Sequence, residues 1–364
     1  MGIEVLGYWN YWFIENMVRV AINGYGRIGR VAHRIILERF SNQIDLVAIN
    51  GGSSTDIAGW AYLLKYDTSY GPLRNHTVNF EPGAGDEVPK LLGDLIVDGK
   101  KIPFYSEKSP EVLPWRALGV DVVIESTGHF TTAEKVAGHL TAGAKKVVLS
   151  APSKDHSIKT YVLGVNLNEN SPVDAVISNA SCTTNCIAPV AQIMASNFGV
   201  EKAMMTTIHS YTSDQELQDG GHKDYRRARA AAQNIIPTST GASVAATEAV
   251  PELSGLFSGL AIRVPTIVGS LSDFTFLLKK NTTVEEVNQA LARESQTDRY
   301  KDILEVTVDP IVSSDIRGNS HSAVVDLSLT QVVGGNLVKI IAWYDNEWAY
   351  ANRLVEEVLT LGIR

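Results

Sequence analysis

A short apolar run, Val18-Arg-Val-Ala-Ile-Asn23, is followed at once by Gly24-Tyr-Gly-Arg-Ile-Gly29 and then by residues 31–40 with apolar side chains at helical spacing. Few stretches restrict a fold so tightly. The pattern reads as strand, glycine turn and helix, with side-chain-free positions that let backbone approach a pyrophosphate at the helix N-terminus. A glycine triplet alone also fits a structural turn. Here a second strand, Ile44-Asp-Leu-Val-Ala-Ile-Asn50, follows at βαβ distance, which favours a nicotinamide dinucleotide. Further strands are expected at 120–125, 146–149 and 174–178, alternating with helix-like stretches, so a mostly parallel sheet with helices on both faces is predicted.

The end of the second strand departs from the usual pattern. An acidic residue about 20 positions beyond the glycines ordinarily accepts a hydrogen bond from the ribose 2′-hydroxyl of NAD. This chain instead has Asn50-Gly51-Gly52-Ser53-Ser54-Thr55, and its first carboxylate there is Asp56. A carboxylate about 4 Å from a 2′-phosphate would oppose it by roughly 4 kcal/mol per charge at a surface-like dielectric. Without it, the N–H groups of Gly51 and Gly52 and the hydroxyls of Ser53 and Ser54 are expected to form a small phosphate nest. The alternative is a polar turn that accepts either cofactor; NADP is favoured over NAD.

In the second half, β-like runs dominate at 203–210, 260–266, 273–279, 303–308, 323–333 and 337–344, which suits an antiparallel sheet. One helix starts at the capping-box sequence Thr283-Val-Glu-Glu286. A last amphipathic helix over 348–361 is expected to be capped by Asp345 or Asn346. Between the halves, Ala180-Ser181-Cys182-Thr183-Thr184-Asn185-Cys186 joins a strand-like run to a helix-like segment at 187–198. A cysteine at a helix N-terminus is expected to have a lowered thiol pKa. The next apolar run ends in His209, which could serve that sulfur as a base. Ordinary explanations exist for both: the cysteines could be a metal half-site or two small buried residues, and His209 a satisfied core histidine. No second Cys or His pair stands at zinc spacing, so no metal is expected. The loop 219–229, with three arginines in four positions, reads as a solvated face, a phosphate site or an ion-pair contact between subunits.

With 364 residues, 45% apolar and 20% charged, the chain has ordinary globular composition and the length for two domains. Its 32 basic and 40 acidic side chains give a net charge of −8 without a basic stripe, so no nucleic-acid partner is expected. Two cysteines argue against a secreted disulfide framework and for a reducing compartment, taken as cytoplasmic. Residues 1–16 are aromatic-rich, lack Lys and Arg, and are too short to span a bilayer, so neither a signal peptide nor membrane association is expected. They are read as an extension, followed by a dinucleotide-binding domain (17–181 and 346–364) and a catalytic domain (182–345). The expected fold class is α/β, an N-terminal Rossmann dinucleotide-binding domain plus an α+β catalytic domain with a mostly antiparallel sheet.

Five strings, Asn23-Gly-Tyr-Gly-Arg-Ile-Gly-Arg30, Ser178-Asn-Ala-Ser-Cys-Thr-Thr-Asn-Cys186, His222-Lys-Asp-Tyr-Arg-Arg-Ala-Arg-Ala-Ala231, Pro237-Thr-Ser-Thr-Gly241 and Trp343-Tyr-Asp-Asn-Glu-Trp348, closely resemble phosphorylating glyceraldehyde-3-phosphate dehydrogenase. The likeness runs in order from about Val18 to the C-terminus. It implies that Cys182 attacks the aldehyde of glyceraldehyde 3-phosphate while His209 takes the proton and helps hold the oxyanion. Hydride transfer to NAD or NADP then leaves a thioester, which inorganic phosphate cleaves to 1,3-bisphosphoglycerate. The resemblance further implies that Thr212 and Arg263 line the site for the substrate's phosphate. Ser181, Thr183, Thr240, Gly241 and Arg227 would line the site for the attacking phosphate. It carries Gly24, Gly26, Arg27, Ile28 and Gly29 over to the pyrophosphate, Thr127 nearby, Asn346 to the carboxamide and Tyr350 to the vicinity of the nicotinamide. It also implies a homotetramer in which the loop 210–236 reaches a neighbour's cofactor site.

Two departures resemble the family's NADP-using members. NAD-specific members have Asp where Gly51 stands and Leu-Pro where Gly220-Gly221 stand. Lys108 replaces a family arginine and could lend a cation to a 2′-phosphate. The alternatives are the related erythrose-4-phosphate dehydrogenase, which hydrolyses its thioester, and a binding role without catalysis. Retention of Thr212, Cys182 and His209 favours the phosphorylating enzyme.

Overall fold

The computed structural model describes residues 17–83, 88–167 and 174–363. The expected extension at 1–16 lies outside the described residues. The chain divides into two compact units. Described residues within Met1–Lys159, Pro172–Asn179 and Leu354–Arg364 form the first, and those within Thr160–Ser171 and Ala180–Arg353 the second.

The first unit contains, in chain order, β1 (Val18–Asn23), α1 (Arg27–Arg39), β2 (Ile44–Asn50), α2 (Ile57–Lys65), β3 (Val78–Pro82), β4 (Leu91–Val97), β5 (Lys100–Tyr105), β6 (Val122–Glu125), α3 (Ala133–Thr141), β7 (Lys146–Leu149) and β8 (Val176–Ser178). Its sheet runs β3-β4-β5-β2-β1-β6-β7-β8. Neighbours from β5 to β8 pair in parallel, while β3 and β4 add an antiparallel edge. Consecutive residues Val122, Val123 and Ile124 are all 0% exposed, so β6 is buried on both faces, which explains its unbroken apolar run. Because β1 has β2 on one side and β6 on the other, the winding reverses there. In open α/β sheets, ligands sit at the carboxyl ends of strands beside such a reversal. Register aligns Asn50, Asn23 and Glu125 in one row at those ends.

The second unit contains α4 (Cys182–Phe198), β9 (Val200–Ser210), β10 (Ile236–Thr238), α5 (Ala242–Ala249), β11 (Phe257–Val264), β12 (Ser270–Leu278), α6 (Val284–Ser295), β13 (Leu304–Thr307), β14 (Ala323–Asp326), β15 (Gln331–Val333) and β16 (Leu337–Tyr344). Its sheet is ordered β10-β11-β9-β12-β16-β14-β13, with β15 also on β16. Five pairings are antiparallel, whereas β9–β11 and β13–β14 are parallel, so the sheet is mixed and mostly antiparallel, as expected. Cys186, Ile187, Val190 and Met194 on α4 share one core with Phe274, Phe276, Ile340 and Ala342 of the sheet. The single strand expected at 323–333 is instead two: Asp326 accepts a hydrogen bond from Ser328 N and turns the chain through a short 3₁₀ segment before β15. The last helix, α7 (Trp348–Gly362), is capped by Asp345, whose Oδ1 accepts from the N–H groups of Glu347 and Trp348.

Candidate active site and dinucleotide cleft

In the second unit, Cys182 is the first residue of α4, and the Ser181 hydroxyl caps that helix by accepting from Thr184 N at 3.1 Å. Cys182 Sγ lies 3.4 Å from His209 Nε2. The other ring nitrogen, Nδ1, is 2.6 Å from the Ser210 carbonyl, which can only accept. Nδ1 therefore carries the proton of the neutral ring, and the Nε2 lone pair faces the thiol. That is the tautomer a general base needs. The Tyr344 hydroxyl bonds both Thr183 Oγ1 at 2.9 Å and Thr207 Oγ1 at 2.8 Å, tying the first turn of α4 to β9. Its ring meets the His209 ring edge-on at 6.0 Å.

Electrostatics revise one expectation. Burial pushes the Cys182 thiol up, outweighing the downward pull of the Arg263 charge and of hydrogen bonds from Thr183. Burial and Arg263 push His209 down to about 3. The helix N-terminus alone predicted a lowered thiol, but the enclosure of the sulfur opposes charge on it more strongly. Both shifts favour the uncharged pair, a thiol beside a neutral imidazole.

Parallel register sets Arg263 on β11 directly beside His209 on β9. Arg263 Nη1 donates to Thr212 Oγ1 and, at 3.4 Å, to Ser210 O. Its Nε is buried without an acceptor among the described residues. An unpaired buried guanidinium nitrogen is costly unless an anion completes it. Arg227 donates to Thr238 Oγ1 at 2.9 Å and Ser239 O at 3.2 Å. Thr240 Oγ1 accepts from Ala242 N at 3.1 Å, and Gly241 is the N-cap of α5, facing open space. Sequence reasoning did not single out Asp214. Its carboxylate accepts from the Thr212 hydroxyl and, at 2.6 Å, from Arg227 Nη1, so one carboxylate holds a member of each expected phosphate set. Burial raises its pKa, yet the Thr212 hydroxyl, Arg263 and Arg227 together keep it below the usual carboxylate range. Thr183 departs from its expected setting, since it is only 4% exposed and its hydroxyl faces Tyr344. Asn346 Oδ1 accepts from Gly269 N at 3.1 Å and Ser270 Oγ at 2.9 Å, which orients its amide. The Tyr350 hydroxyl donates to Ala180 O at 3.2 Å, just ahead of Cys182.

In the first unit, a cleft of about 480 Å³ lies at the reversal of winding, lined by Asn23, Gly24, Gly26, Asn50, Gly51, Gly52, Ser53, Trp60, Lys108 and Thr127 among others. Gly24 has φ +96°, and a Cβ there would lie 2.5 Å from Thr127 N; one on Gly29 would lie 2.2 Å from Gly24 O. Gly26 caps α1 without any side chain, and Ile28 follows in the first turn, so the helix end is open to an anion. These features fit a dinucleotide pyrophosphate. Arg27 is drawn into an ion pair with Asp67.

Beneath the cleft runs a buried polar chain. The indole of Trp115 donates to His139 Nδ1 at 3.0 Å, so His139 Nε2 carries the proton and donates to Glu125 Oε2 at 3.0 Å. Asn23 Nδ2 also donates to Oε2, while the Thr127 N–H and hydroxyl donate to Oε1. Four donors thus converge on one carboxyl group. The Thr127 hydroxyl spends its hydrogen on Glu125 and accepts from His129 N at 3.1 Å, leaving it a lone pair with which to meet a ligand donor such as a sugar hydroxyl.

The expected phosphate nest is smaller than its sequence suggests. Gly51 N–H is spent on Tyr105 O at 2.9 Å across the β2–β5 pairing. Gly52 has φ +69°, and its N–H has no acceptor among the described residues. Ser54 Oγ accepts from the Trp60 indole and so keeps its own hydrogen to donate. Ser53 and Lys108 are exposed, and Lys108 makes no ion pair among the described residues.

A nucleotide cleft of this form in one unit, and a cysteine–imidazole pair beside a half-buried arginine in the other, define a thiol-bearing nicotinamide-dependent oxidoreductase. Residues 18–133 match the model of the glyceraldehyde 3-phosphate dehydrogenase NAD binding domain, and residues 181–346 that of the glyceraldehyde 3-phosphate dehydrogenase C-terminal domain. The chain belongs to the glyceraldehyde-3-phosphate dehydrogenase family. It is 48% identical to the glyceraldehyde-3-phosphate dehydrogenase of Streptomyces coelicolor over 346 residues, covering 95% of this chain and 98% of that one. Identity to the protein of that name from Borreliella burgdorferi is 49%, over 93% of this chain and 98% of the other. For Zymomonas mobilis it is 46%, over 93% and 97%.

Proposed function

We propose that the chain converts glyceraldehyde 3-phosphate and inorganic phosphate reversibly to 1,3-bisphosphoglycerate, using NADP in preference to NAD. The observation that carries the chemistry is the 3.4 Å approach of Cys182 Sγ to the His209 Nε2 lone pair, with Nδ1 pinned by Ser210 O. His209 takes the thiol proton as Sγ bonds to the aldehyde carbon, and the resulting imidazolium donates to the new oxyanion. A bound nicotinamide supplies the hydride-accepting carbon. The oxyanion takes the imidazolium's proton to become the hemithioacetal hydroxyl, and as hydride leaves, His209, neutral again, takes it back while the C–O double bond re-forms, leaving a thioester on Cys182. A phosphate oxygen then bonds to the acyl carbon, the C–S bond breaks, and the thiolate regains a proton from His209.

Arg263 with Thr212 is read as the clamp on the substrate's phosphate; Arg227 with Ser181, Thr240 and Gly241 as that for inorganic phosphate, the Thr183 hydroxyl being engaged by Tyr344. In both, the anion competes with Asp214 for its donors. Gly24, Gly26, Arg27, Ile28 and Gly29 are assigned to the pyrophosphate end, Thr127 to a sugar hydroxyl, and Asn346 with Tyr350 to the nicotinamide end. Preference for NADP is supported by the missing carboxylate at position 51, the free Gly52 N–H, the Ser54 hydroxyl and the unpaired Lys108. A homotetramer is proposed from the family. Among the described residues no helix is long and apolar enough to cross a membrane, and no group of His, Cys, Asp and Glu is arranged to hold a metal. The test is the ratio of kcat/KM for NADP over NAD with saturating glyceraldehyde 3-phosphate and phosphate. A ratio above one is expected; absence of turnover with millimolar NADP would refute the preference.

A further inference from the structure

We infer that Phe104 is a specificity-determining residue of the dinucleotide cleft, acting by keeping position 51 free of any side chain, an inference that rests on the NADP reading above. Position 51 directly follows β2, where the acidic residue that binds a ribose 2′-hydroxyl ordinarily stands. A Cβ built on Gly51 would lie 2.6 Å from Phe104 Cε1, 3.1 Å from Phe104 Cζ and 3.2 Å from Ser54 Cβ. Gly51 does not have positive φ, so the position demands glycine for space and not for backbone conformation.

Phe104 is enclosed by other rings. It is 0% exposed on β5, which pairs in parallel with the end of β2. Its ring meets Tyr25 edge-on at 5.4 Å and stacks on Trp60 at 6.2 Å, and Tyr25 meets Trp60 at 5.8 Å. Two polar contacts anchor this trio: the Tyr25 hydroxyl lies 2.6 Å from His33 Nδ1, and the Trp60 indole donates to Ser54 Oγ. Any side chain at 51 must therefore disturb three interlocked rings, and overpacking of a close-packed core is destabilising. A single substitution at 51 does not deliver a carboxylate to the ribose in this protein. The pair of positions 51 and 104 sets the cofactor.

A double-mutant cycle in the full-length chain tests this, using Gly51→Asp, Phe104→Val and both together. Melting temperature and binding of NAD and NADP by quenching of protein fluorescence are read separately. Gly51→Asp alone is expected to lower the melting temperature by roughly 5 °C or more and to weaken both dinucleotides. The double variant should lose clearly less melting temperature than the two single variants' losses added together, NAD binding should return, and the NAD/NADP affinity ratio should rise at least about tenfold over wild type. Additive temperature losses, or a stable Gly51→Asp protein that switches to NAD unaided, would overturn the role of Phe104. If wild type binds NAD more tightly than NADP, the preference reading fails, while the cycle in melting temperature still decides whether Phe104 guards position 51.

Discussion

Cys182 and His209, 3.4 Å apart, share one ionisation problem. Burial raises the Cys182 thiol and lowers His209 to about 3, so the uncharged pair is the resting form of the free protein. Alkylation of Cys182 by iodoacetamide should therefore accelerate steadily toward alkaline pH. A thiolate–imidazolium pair would instead give a reactive plateau across pH 5 to 7, and finding one in the free protein would contradict this assignment. The cysteine and histidine were legible from sequence because each closes an apolar run at a turn. The upward push on the thiol was not, because it depends on burial by residues distant in the chain. Asp214 was missed for a related reason: an aspartate in a polar loop has no distinguishing spacing, and only folding brings its carboxylate between Thr212 and Arg227.

At the element scale, buried histidines on a helix and a strand make the fold sensitive to acid. His33 on α1 and His209 on β9 are both fully enclosed, and burial pushes each from an ordinary 6.5 down to about 3. Between those values the unfolded chain binds more protons than the folded one, so stability rises with pH and is lost as pH falls below about 6.5. Each histidine should cost about 1 kcal/mol by pH 5.5. Melting temperature should thus be level above pH 7 and fall clearly by pH 5.5; a level profile down to pH 4.5 would show that these rings protonate in place. Elements with a strong local pattern were legible, as for β1, β2 and β16, whose expected bounds match those observed. The capping box of α6 is present with both of its hydrogen bonds. By contrast α2 and the β3–β5 edge were not anticipated. Burial on β4 and β5 alternates with half-exposed positions and glycine, proline and lysine interrupt the runs, so neither strand stands out as an apolar segment. Missing β5 also hid Phe104, and with it the reason that position 51 is glycine.

At the scale of the whole molecule, one chain carries a doubly wound dinucleotide-binding unit and a second unit that holds Cys182, His209, Arg263 and Arg227. A thiol and a base alone would suit hydrolysis as well as phosphorolysis. In the proposed function the two are separated by assigning one anion to Arg263, whose Nε is buried without an acceptor among the described residues, and a second to Arg227. The most direct test is a rapid-mixing experiment with glyceraldehyde 3-phosphate and NADP, following reduced cofactor with and without inorganic phosphate. Without phosphate, the account predicts a burst of about one reduced cofactor per Cys182 and then near arrest at the thioester, with phosphate restoring steady turnover. Steady turnover at the same rate whether or not phosphate is present would contradict it.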